Sequence, residues 1–410
     1  MKLARFFVVF MILLLIACTH HPHPQTVAVN PAINVEGQAA MTKNGKLLAR
    51  KQALQDAIRQ AMLQSGAIVK SHTTLSNGSV LFDTFSMRTQ AAVKATKVIR
   101  EWQEKDIYHV RAAVTLSDTE TCVPQYRKRI VATAFPLAQP EHLSSAESTD
   151  IMSGIPREIM HLLNQSRDFI GINQTHVALF ESPTDMAPNL SDDQPYLVSK
   201  AMQMAEQEGG QLVLAGVIRD LKIKLPGDNR DSSLLGIASE WLPQLSSQRG
   251  VALDIYVYDG FTGALLTQYR YADQVSGEVW LSAGNTVGSQ SFRASTTGAK
   301  LSHIIESAST DIRKALSCYP FATRIIKIDG DKVFIDAGAQ ENINVGDQLV
   351  AYADTGIDLH LDGNRQYVGN DKQAASVLTI REVKPRYAIG ELDSTSNRHV
   401  VREGDWVRAW

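Results

Sequence analysis

Three cysteines, Cys18, Cys122 and Cys318, have the widest choice of chemistry in this chain of 410 residues. A cysteine can carry a lipid, pair in a disulfide or bind a metal as its thiolate. Three are too few for a disulfide-stapled miniprotein or for a structural zinc site built on cysteines. The chemistry expected of each cysteine therefore depends on its position in the chain.

Cys18 follows a segment with the pattern of a secretion signal. Lys2 and Arg5 give a positive start, and residues 6–17 form an apolar run shorter than the ~20 residues that span a bilayer. The run ends in residues 15–18 (LIAC), which resemble the lipobox of bacterial lipoproteins. Simple cleavage by signal peptidase is the alternative, although leucine at position −3 fits it poorly.

We therefore expect residues 1–17 to be a signal peptide and residues 18–30 to be a linker, with Cys18 as the candidate lipid anchor. Both alternatives export the mature chain to the periplasm, and lipidation would also tether it to the outer membrane. Three histidines between residues 20 and 23 alternate with prolines, and this Pro-broken stretch is more typical of a linker than of a metal site.

Cys122 and Cys318 remain as an even pair in an oxidising compartment. They lie at the two ends of the predicted middle domain, so a disulfide between them would join both of its boundaries. Closing a loop of this length stabilises a fold by about 4–5 kcal/mol in the chain-entropy model. The alternative is two unpaired thiols in separate surroundings.

No recognisable catalytic or metal-binding motif occurs in the sequence. The patterns G-x-S-x-G, H-E-x-x-H and G-x-x-x-x-G-K-[ST] are missing, and the eleven histidines do not cluster outside the linker. We therefore predict no enzymatic activity, no cofactor and no metal. The charge balance, 41 Lys and Arg against 43 Asp and Glu, argues against nucleic-acid binding, which needs a basic surplus.

The elements that would position these groups form three predicted domains. Residues 31–118 are expected to be a small α+β domain with a helix over residues 46–65, and alanines 49, 53, 57 and 61 form a row at intervals of four. These small side chains would let a sheet approach the helix closely. Strands are expected at residues 93–104 and 107–116, with a turn between them.

Residues 119–319 are expected to form an α/β middle domain of strand–helix units. Pro156 is placed in the first turn of a helix, where proline is tolerated. Residues 175–180 are expected to be a buried strand, and residues 251–258 and 264–271 a hairpin. A final amphipathic helix is expected to end close to Cys318.

Residues 320–410 are expected to be a small all-β barrel, because six short strand patterns are separated by Gly-Asp turns. Trp406 is expected to fill the barrel. Exposed apolar side chains at Leu234, Leu235, Trp241 and Trp410 are candidate partner contacts. The segment from Leu234 to Trp241 also fits a helix that simply covers the middle domain.

Three segments together resemble the flagellar assembly protein T family. Residues 35–39 (VEGQA) with 49–57 (ARKQALQDA) resemble its N-terminal domain. Residues 205–220 (AEQEGGQLVLAGVIRD) resemble its middle domain, which is similar to the N-terminal domain of the Tol-Pal component TolB. Residues 332–338 (KVFIDAG) and 345–347 (VGD) resemble its C-terminal β domain.

The resemblance implies a structural role and not a catalytic one. Proteins of this family build the H ring, a periplasmic collar around the flagellar basal body near its outer-membrane rings. They help to recruit the T-ring proteins that hold stator units, so the implied partners are basal-body and T-ring proteins and further copies in a homo-oligomeric ring. The candidate lipid anchor departs from the plain cleaved signal of the family. An alternative function is an envelope lipoprotein whose TolB-like domain binds or activates a cell-wall factor.

Overall fold

A computed structural model describes most of the chain. The described residues are 32–41, 45–64, 75–76, 79–80, 93–116, 124–143, 147, 150–180, 195–224, 247–282, 284–361, 366–393 and 400–409. The predicted signal peptide and linker lie outside them.

The N-terminal part is a helix packed on a three-stranded sheet. Its elements are Ile33–Ala40 (β1), Lys46–Gln64 (α1), Leu75–Ser76 (β2), Ser79–Val80 (β3), Val93–Glu104 (β4) and Ile107–Leu116 (β5). The sheet has the order β1-β5-β4, and both pairs are antiparallel. β2 and β3 pair separately as a short ladder. The strands on both sides of the turn at Lys105 have the predicted bounds.

The alanine row of α1 lies directly on this sheet. Ala49, Ala53, Ala57 and Ala61 are all buried, as predicted. A Cβ atom added to Gly37 on β1 would lie 2.1 Å from the Ala53 carbonyl oxygen and 2.2 Å from the Ala57 nitrogen. The backbones of helix and strand are therefore in contact, which requires glycine on the strand and small side chains on the helix.

The middle part is a mixed sheet with helices on both faces. Its elements are Lys128–Ala134 (β6), Ile151–Gln165 (α2), Phe169–Ala178 (β7), Pro195–Glu208 (α3), Leu212–Asp220 (β8), Ile223–Lys224 (β9), Gln248–Asp259 (β10), Leu265–Ser276 (β11), Gln290–Ala294 (α4) and Thr296–Leu316 (α5). The strand order is β11-β10-β8-β6-β7, with β9 paired to β10. β6 is parallel to β7 and β8, while β10 is antiparallel to β8 and β11.

Alternation along the strands divides the middle core into two layers. Ile255 and Val257 of β10 pack with apolar side chains of α2 and α5 on one face. Tyr256 and Tyr258 point to the other face, where Ala201 of α3 covers them. Side chains on successive strand positions face opposite sides of a sheet, so β10, which has a strand on each side and helices on both faces, is apolar on both faces.

The sequence predicts Pro156 in the first turn of its helix, and this prediction is wrong. Helix α2 begins five residues earlier, at Ile151, and Pro156 lies inside it. A residue with an N–H at this position would donate to the carbonyl oxygen of Met152, and proline cannot. The backbone N–H of Phe135 donates to that oxygen instead, at 2.9 Å. This contact between the residue that follows β6 and helix α2 accommodates the proline.

The prediction of a buried strand at residues 175–180 is also wrong in part. The strand is β7, which begins at Phe169 and ends at Ala178, and it is the edge of the sheet. Most of its side chains are only half-buried, and His176 is exposed. Leu179 and Phe180 are buried, but they follow the strand. The buried apolar side chains Leu179 and Phe180 thus belong to the segment after the strand.

The C-terminal part is a closed six-stranded barrel, as predicted. Its strands are Ala322–Asp329 (β12), Lys332–Ile335 (β13), Gln348–Leu361 (β14), Gln366–Val383 (β15), Ala388–Leu392 (β16) and Trp406–Arg408 (β17). The order around the barrel is β12-β13-β16-β15-β14-β17, and β17 closes it against β12. The multidomain α+β fold with a small barrel is therefore confirmed, while the exact domain boundaries stay predictions.

Candidate functional site

The described part of the chain has a charged and aromatic contact region between the middle sheet and the barrel. We call this region the junction. It contains Arg129 of β6, Phe261 of the β10–β11 turn, and Asp336, Glu341 and Trp406 of the barrel.

Arg129 is the central side chain of the junction. Its Nε donates to Oε1 of Glu341 and its Nη1 donates to Oδ2 of Asp336, both at 2.8 Å. Only 7% of the Arg129 side chain and 1% of the Glu341 side chain are exposed. Burial lowers the pKa of Arg129, but the two carboxylates outweigh this effect and hold that pKa above its ordinary value. The guanidinium is therefore a charged link between two domains.

Glu341 is held in position by the turn that it ends. It is the last residue of a 3₁₀ turn, Ala339–Glu341, and its Oε2 accepts a hydrogen bond from the Gly338 N–H at 2.8 Å. Both carboxylate oxygens thus have donors, which a buried carboxylate needs. The backbone carbonyl of Glu341 also accepts from the N–H of Arg127 at 3.1 Å. This residue bonds to the middle sheet through both its side chain and its backbone.

Aromatic stacking forms the second contact of the junction. The ring of Trp406 stacks on Phe261, with centroids 4.8 Å apart and planes 21° apart. The ring centroid of Trp406 also lies 5.5 Å from that of Tyr352 on β14. Its neighbour Val407 belongs to the barrel core. The prediction that Trp406 fills the barrel is therefore wrong, because alternation on β17 directs Val407 inward and Trp406 toward the middle domain.

A buried acid lies beside this stack. Asp259 ends β10, and its Oδ1 accepts from the N–H groups of Phe261 at 2.6 Å and Thr262 at 3.2 Å. The hydroxyl of Tyr319 donates to its other oxygen. Burial raises the pKa of Asp259 and raises the pKa of Tyr319 well above its ordinary value. Asp259 therefore fixes the turn that presents Phe261 to Trp406.

Helix α1 contacts the barrel at a separate place. Leu48 is buried against Val350 and Val377, which lie on the outside of the barrel. The Nζ of Lys51 donates to the Gln348 carbonyl at 3.3 Å, and burial lowers the pKa of Lys51 to about 8. The barrel is thus in contact with both the N-terminal and the middle parts of the chain.

Most of the site residues predicted from sequence cannot be placed. Cys18, Cys122, Leu234, Leu235, Trp241 and Trp410 all lie outside the described residues. Cys318 lies just after α5, with its Sγ 3.6 Å from the Ser317 hydroxyl, and it takes part in a disulfide whose other half is outside the described residues. Neither the lipid anchor nor the partner contacts are tested by this geometry.

The acidic side chains of the junction are all bonded to other side chains. The carboxylates of Asp336 and Glu341 are held by Arg129, and Asp259 is held by Tyr319. Within the described ranges, no cluster of three or more His, Cys, Asp or Glu side chains is arranged to hold a metal ion. Sequence reasoning missed the junction, because a buried arginine in an apolar strand has no motif. The only signal was the basic pair Lys128-Arg129 at the start of a strand that is otherwise mainly apolar.

Two family models match consecutive parts of the chain. The N-terminal domain of flagellar assembly protein T matches residues 32–118, and its middle domain matches residues 120–285. The chain belongs to the flagellar assembly protein T family. The family resemblance expected from the sequence is thereby confirmed, and it assigns the chain a role in flagellar assembly.

Three solved structures have weak likenesses to this family member. Hypothetical protein CT253 from Chlamydia trachomatis is 16% identical, with 46% of this chain and 98% of that chain covered, at a TM-score of 0.29. The PelC dodecamer from Paraburkholderia phytofirmans is 11% identical, with 54% and 98% covered and a TM-score of 0.25. Lipoprotein GNA1162 from Neisseria meningitidis is 11% identical, with 45% and 97% covered and a TM-score of 0.24. Likenesses at these TM-scores say nothing about function.

No curated protein matches the chain. Among the described residues, no helix is both long and apolar enough to cross a membrane.

Proposed function

We propose that the chain is a structural subunit of the flagellar basal body, located in the periplasm, that forms the H ring around the outer-membrane rings. In this role it supports assembly of the T ring and its stator units, and hence motility. Membership of the flagellar assembly protein T family supports the general role. The buried link from Arg129 to Glu341 and Asp336 is the observation that carries the mechanical part.

A ring subunit transmits load between neighbours, so its domains must not move freely against each other. Interfaces between domains of one chain are commonly polar and permit motion. The junction instead combines an ion pair that is almost fully buried with the stacked rings of Phe261 and Trp406. This combination supports a body in which the middle domain and the barrel move as one. Head-to-tail contacts between such bodies close into a ring when the rotation fits.

The proposed location rests on the N-terminal sequence. Residues 1–17 direct export, and Cys18 either receives a lipid that tethers the chain to the outer membrane or follows a simple cleavage. β1 begins at Ile33, so 14 residues lie between Cys18 and the first strand. At about 3.3–3.6 Å per residue, such a linker reaches at most about 50 Å. Lipidation would therefore keep the first domain close to the membrane surface.

We also assign the second half of the Cys318 disulfide to Cys122. Cys18 is the other candidate, but lipidation would occupy its sulfur. Residue 124, two positions after Cys122, is the first described residue of its segment, and Lys128 soon afterwards donates from Nζ to the Leu316 carbonyl at 3.2 Å. The start of β6 and the end of α5 are therefore already neighbours, which supports a disulfide between the two ends of the middle domain.

Catalysis is not part of the proposal, and the expected partners are proteins. These are basal-body and T-ring proteins and further copies of the chain. Leu234, Leu235, Trp241 and Trp410 remain the candidate contacts, because exposed aromatic and aliphatic side chains are favoured at interface centres.

A deletion strain tests the proposed role. Loss of the gene should abolish or reduce swimming and remove the collar seen by electron cryotomography around the basal body. A plasmid copy should restore both. A strain that swims normally with an intact collar would reject the proposal and favour the alternative, an envelope lipoprotein that acts on a cell-wall factor.

A further inference from the structure

The N-terminal sheet has a face that helix α1 does not cover, which we call the open face. Tyr108 of β5 points toward α1 and is buried with it. Side chains alternate along a strand, so His109 and Arg111 point the other way. Their cross-strand partners on β4, Trp102 and Arg100, lie on the same face. All four of these side chains are exposed or half-buried.

A tryptophan with two guanidinium groups beside it forms the centre of the open face. The ring of Trp102 stacks on His109, with centroids 5.0 Å apart and planes 7° apart. The guanidinium carbons of Arg100 and Arg111 lie 5.1 Å and 5.7 Å from the Trp102 ring centroid. The uncovered face of an antiparallel sheet is usually polar, whereas tryptophan is enriched at interfaces between apolar and wet surroundings.

The cations of the open face are only partly balanced by acids. Arg111 pairs with Glu36 of β1 at 3.1 Å. Lys97 and Arg100 are exposed, and no carboxylate of the described residues forms an ion pair with either of them. Arg100 lies directly opposite Arg111, where like charges repel. Glu104 is at the other end of β4. Lys97 and Arg100 are therefore free to bind anions.

Two exposed isoleucines add apolar surface to this region. Ile107 begins β5 on the open face, and it is 41% exposed. Ile99 is the extra residue of a bulge in β4, next to Arg100 in the sequence, and it is 54% exposed. Basic side chains beside tryptophan and aliphatic side chains are the composition by which amphipathic helices bind to membrane surfaces. The open face presents the same combination on a sheet.

Charge is divided unequally between this domain and the rest of the chain. Residues 32–118, the range that the N-terminal family model matches, contain 12 Lys and Arg against 7 Asp and Glu. Residues 119–410 contain 27 against 36. An anionic surface therefore attracts the N-terminal domain and repels the rest. The candidate anchor would hold this same domain near the membrane, because 14 residues lie between Cys18 and Ile33.

We propose that the open face binds an anionic phospholipid surface. Lipid phosphates accept hydrogen bonds from the guanidinium of Arg100 and the ammonium of Lys97, while Trp102 and Ile107 lie at the level of the headgroups. The acidic middle domain and barrel then face away from the membrane. Binding of this kind requires neither the proposed ring nor a lipid on Cys18.

Co-sedimentation with vesicles tests the open face. The mature chain is exported with Cys18→Ser, so that no attached lipid contributes. The vesicles are phosphatidylethanolamine with phosphatidylglycerol, and phosphatidylcholine replaces phosphatidylglycerol in the neutral match. Partition onto the anionic vesicles should be at least tenfold stronger and should be lost between about 50 mM and about 500 mM NaCl, because salt screens exposed charges. Equal partition onto the two kinds of vesicle would overturn the proposal.

Paired substitutions locate the contact. Lys97→Gln with Arg100→Gln should weaken binding to the anionic vesicles at least tenfold, since each cation near such a surface contributes roughly a factor of five. Arg313→Gln with Lys314→Gln removes the same charge from exposed positions on α5 and should leave binding unchanged. Equal effects of the two pairs would reject a specific contact. Self-association without lipid that only the first pair abolishes would assign the open face to a second copy instead.

Discussion

Nε of Arg129 and Oε1 of Glu341 lie 2.8 Å apart, although 212 residues separate them in the sequence. One side chain begins the middle sheet and the other ends a turn of the barrel. Both are almost completely removed from water, and a buried charge without a counter-ion is costly. The pair therefore joins the middle domain to the barrel.

Removing one partner of this pair should weaken the whole junction. Glu341→Gln leaves the Arg129 guanidinium buried with only Asp336 as a counter-ion, and breaking a buried pair typically costs about 3–5 kcal/mol. We expect a loss of about 3 kcal/mol in the free energy of unfolding, because Asp336 remains. Urea denaturation followed by circular dichroism measures it.

The matched control for that change is Glu391→Gln. Glu391 pairs with Arg381 at 3.0 Å, but both side chains are about half exposed. Exposed pairs contribute about 0–1 kcal/mol, so the urea midpoint of this variant should be close to that of the wild type. Equal midpoints for the two variants would mean that the buried pair does not hold the junction.

Gly37 should not tolerate a side chain. The Cβ of Gly37→Ala would meet backbone atoms of α1 at 2.1 Å and 2.2 Å, and a helix backbone cannot move aside cheaply. Overpacking of this kind costs typically about 1–3 kcal/mol. Gly284→Ala is the control, since nothing lies within 4 Å of its added Cβ. In thermal unfolding, Gly37→Ala should melt at a lower temperature than Gly284→Ala. Similar melting temperatures would contradict the close helix–strand contact.

The contact between α1 and the barrel should respond to alkaline pH. Burial lowers the pKa of Lys51 to about 8 from 10.5, so the folded chain releases this proton before the unfolded chain does. Stability therefore rises as the pH increases from about 8 to about 10.5, where the unfolded state binds more protons. The full gain from this group is at most about 3 kcal/mol.

Lys51→Met should remove that gain. The free energy of unfolding of wild type minus that of the variant should increase by about 1–3 kcal/mol between pH 7.5 and pH 10. Lys97, which is exposed on β4, offers the control change Lys97→Met. A wild type and a Lys51→Met variant with parallel pH profiles would show that Lys51 is not desolvated.

The proposed disulfide should stabilise the middle domain. Cys318→Ser opens a covalent loop of nearly 200 residues, which should cost about 4–5 kcal/mol in the chain-entropy model and less if the bond is strained. Peptide mapping of exported protein without reductant should recover Cys122 joined to Cys318. Recovery of Cys122 as a free thiol would reject this pairing.

Local patterns predicted the elements well, and long-range contacts only poorly. Helical periodicity predicted the alanine row of α1, and strand alternation predicted the hairpin of β4 and β5. Both features depend on residues that are close together in the sequence. The prediction that Trp406 fills the barrel failed because the inward face of a three-residue strand is set by its pairing partners. Its own sequence does not reveal which face that is. The prediction for Pro156 failed because a proline inside a helix needs another donor for the carbonyl oxygen that it leaves free. That donor is the N–H of Phe135, which is distant from the helix in the sequence.

The junction could not have been predicted from these patterns. Arg129 lies near the start of a mainly apolar strand. Its partners Asp336 and Glu341 lie in turn sequences, where acidic side chains are usually exposed to solvent. Only the folded arrangement brings them together. The family resemblance succeeded for a different reason, since it rests on the order of several motifs along the chain and not on any single contact.

Membership of the basal body is tested most directly by quantitative mass spectrometry of purified hook–basal-body complexes. The chain should be retained at a constant ratio to the rod and hook proteins through detergent and density-gradient steps, and Glu341→Gln should reduce that ratio. Recovery of the wild-type chain only in the detergent-soluble envelope fraction, beside intact hook–basal bodies, would contradict the proposed structural role.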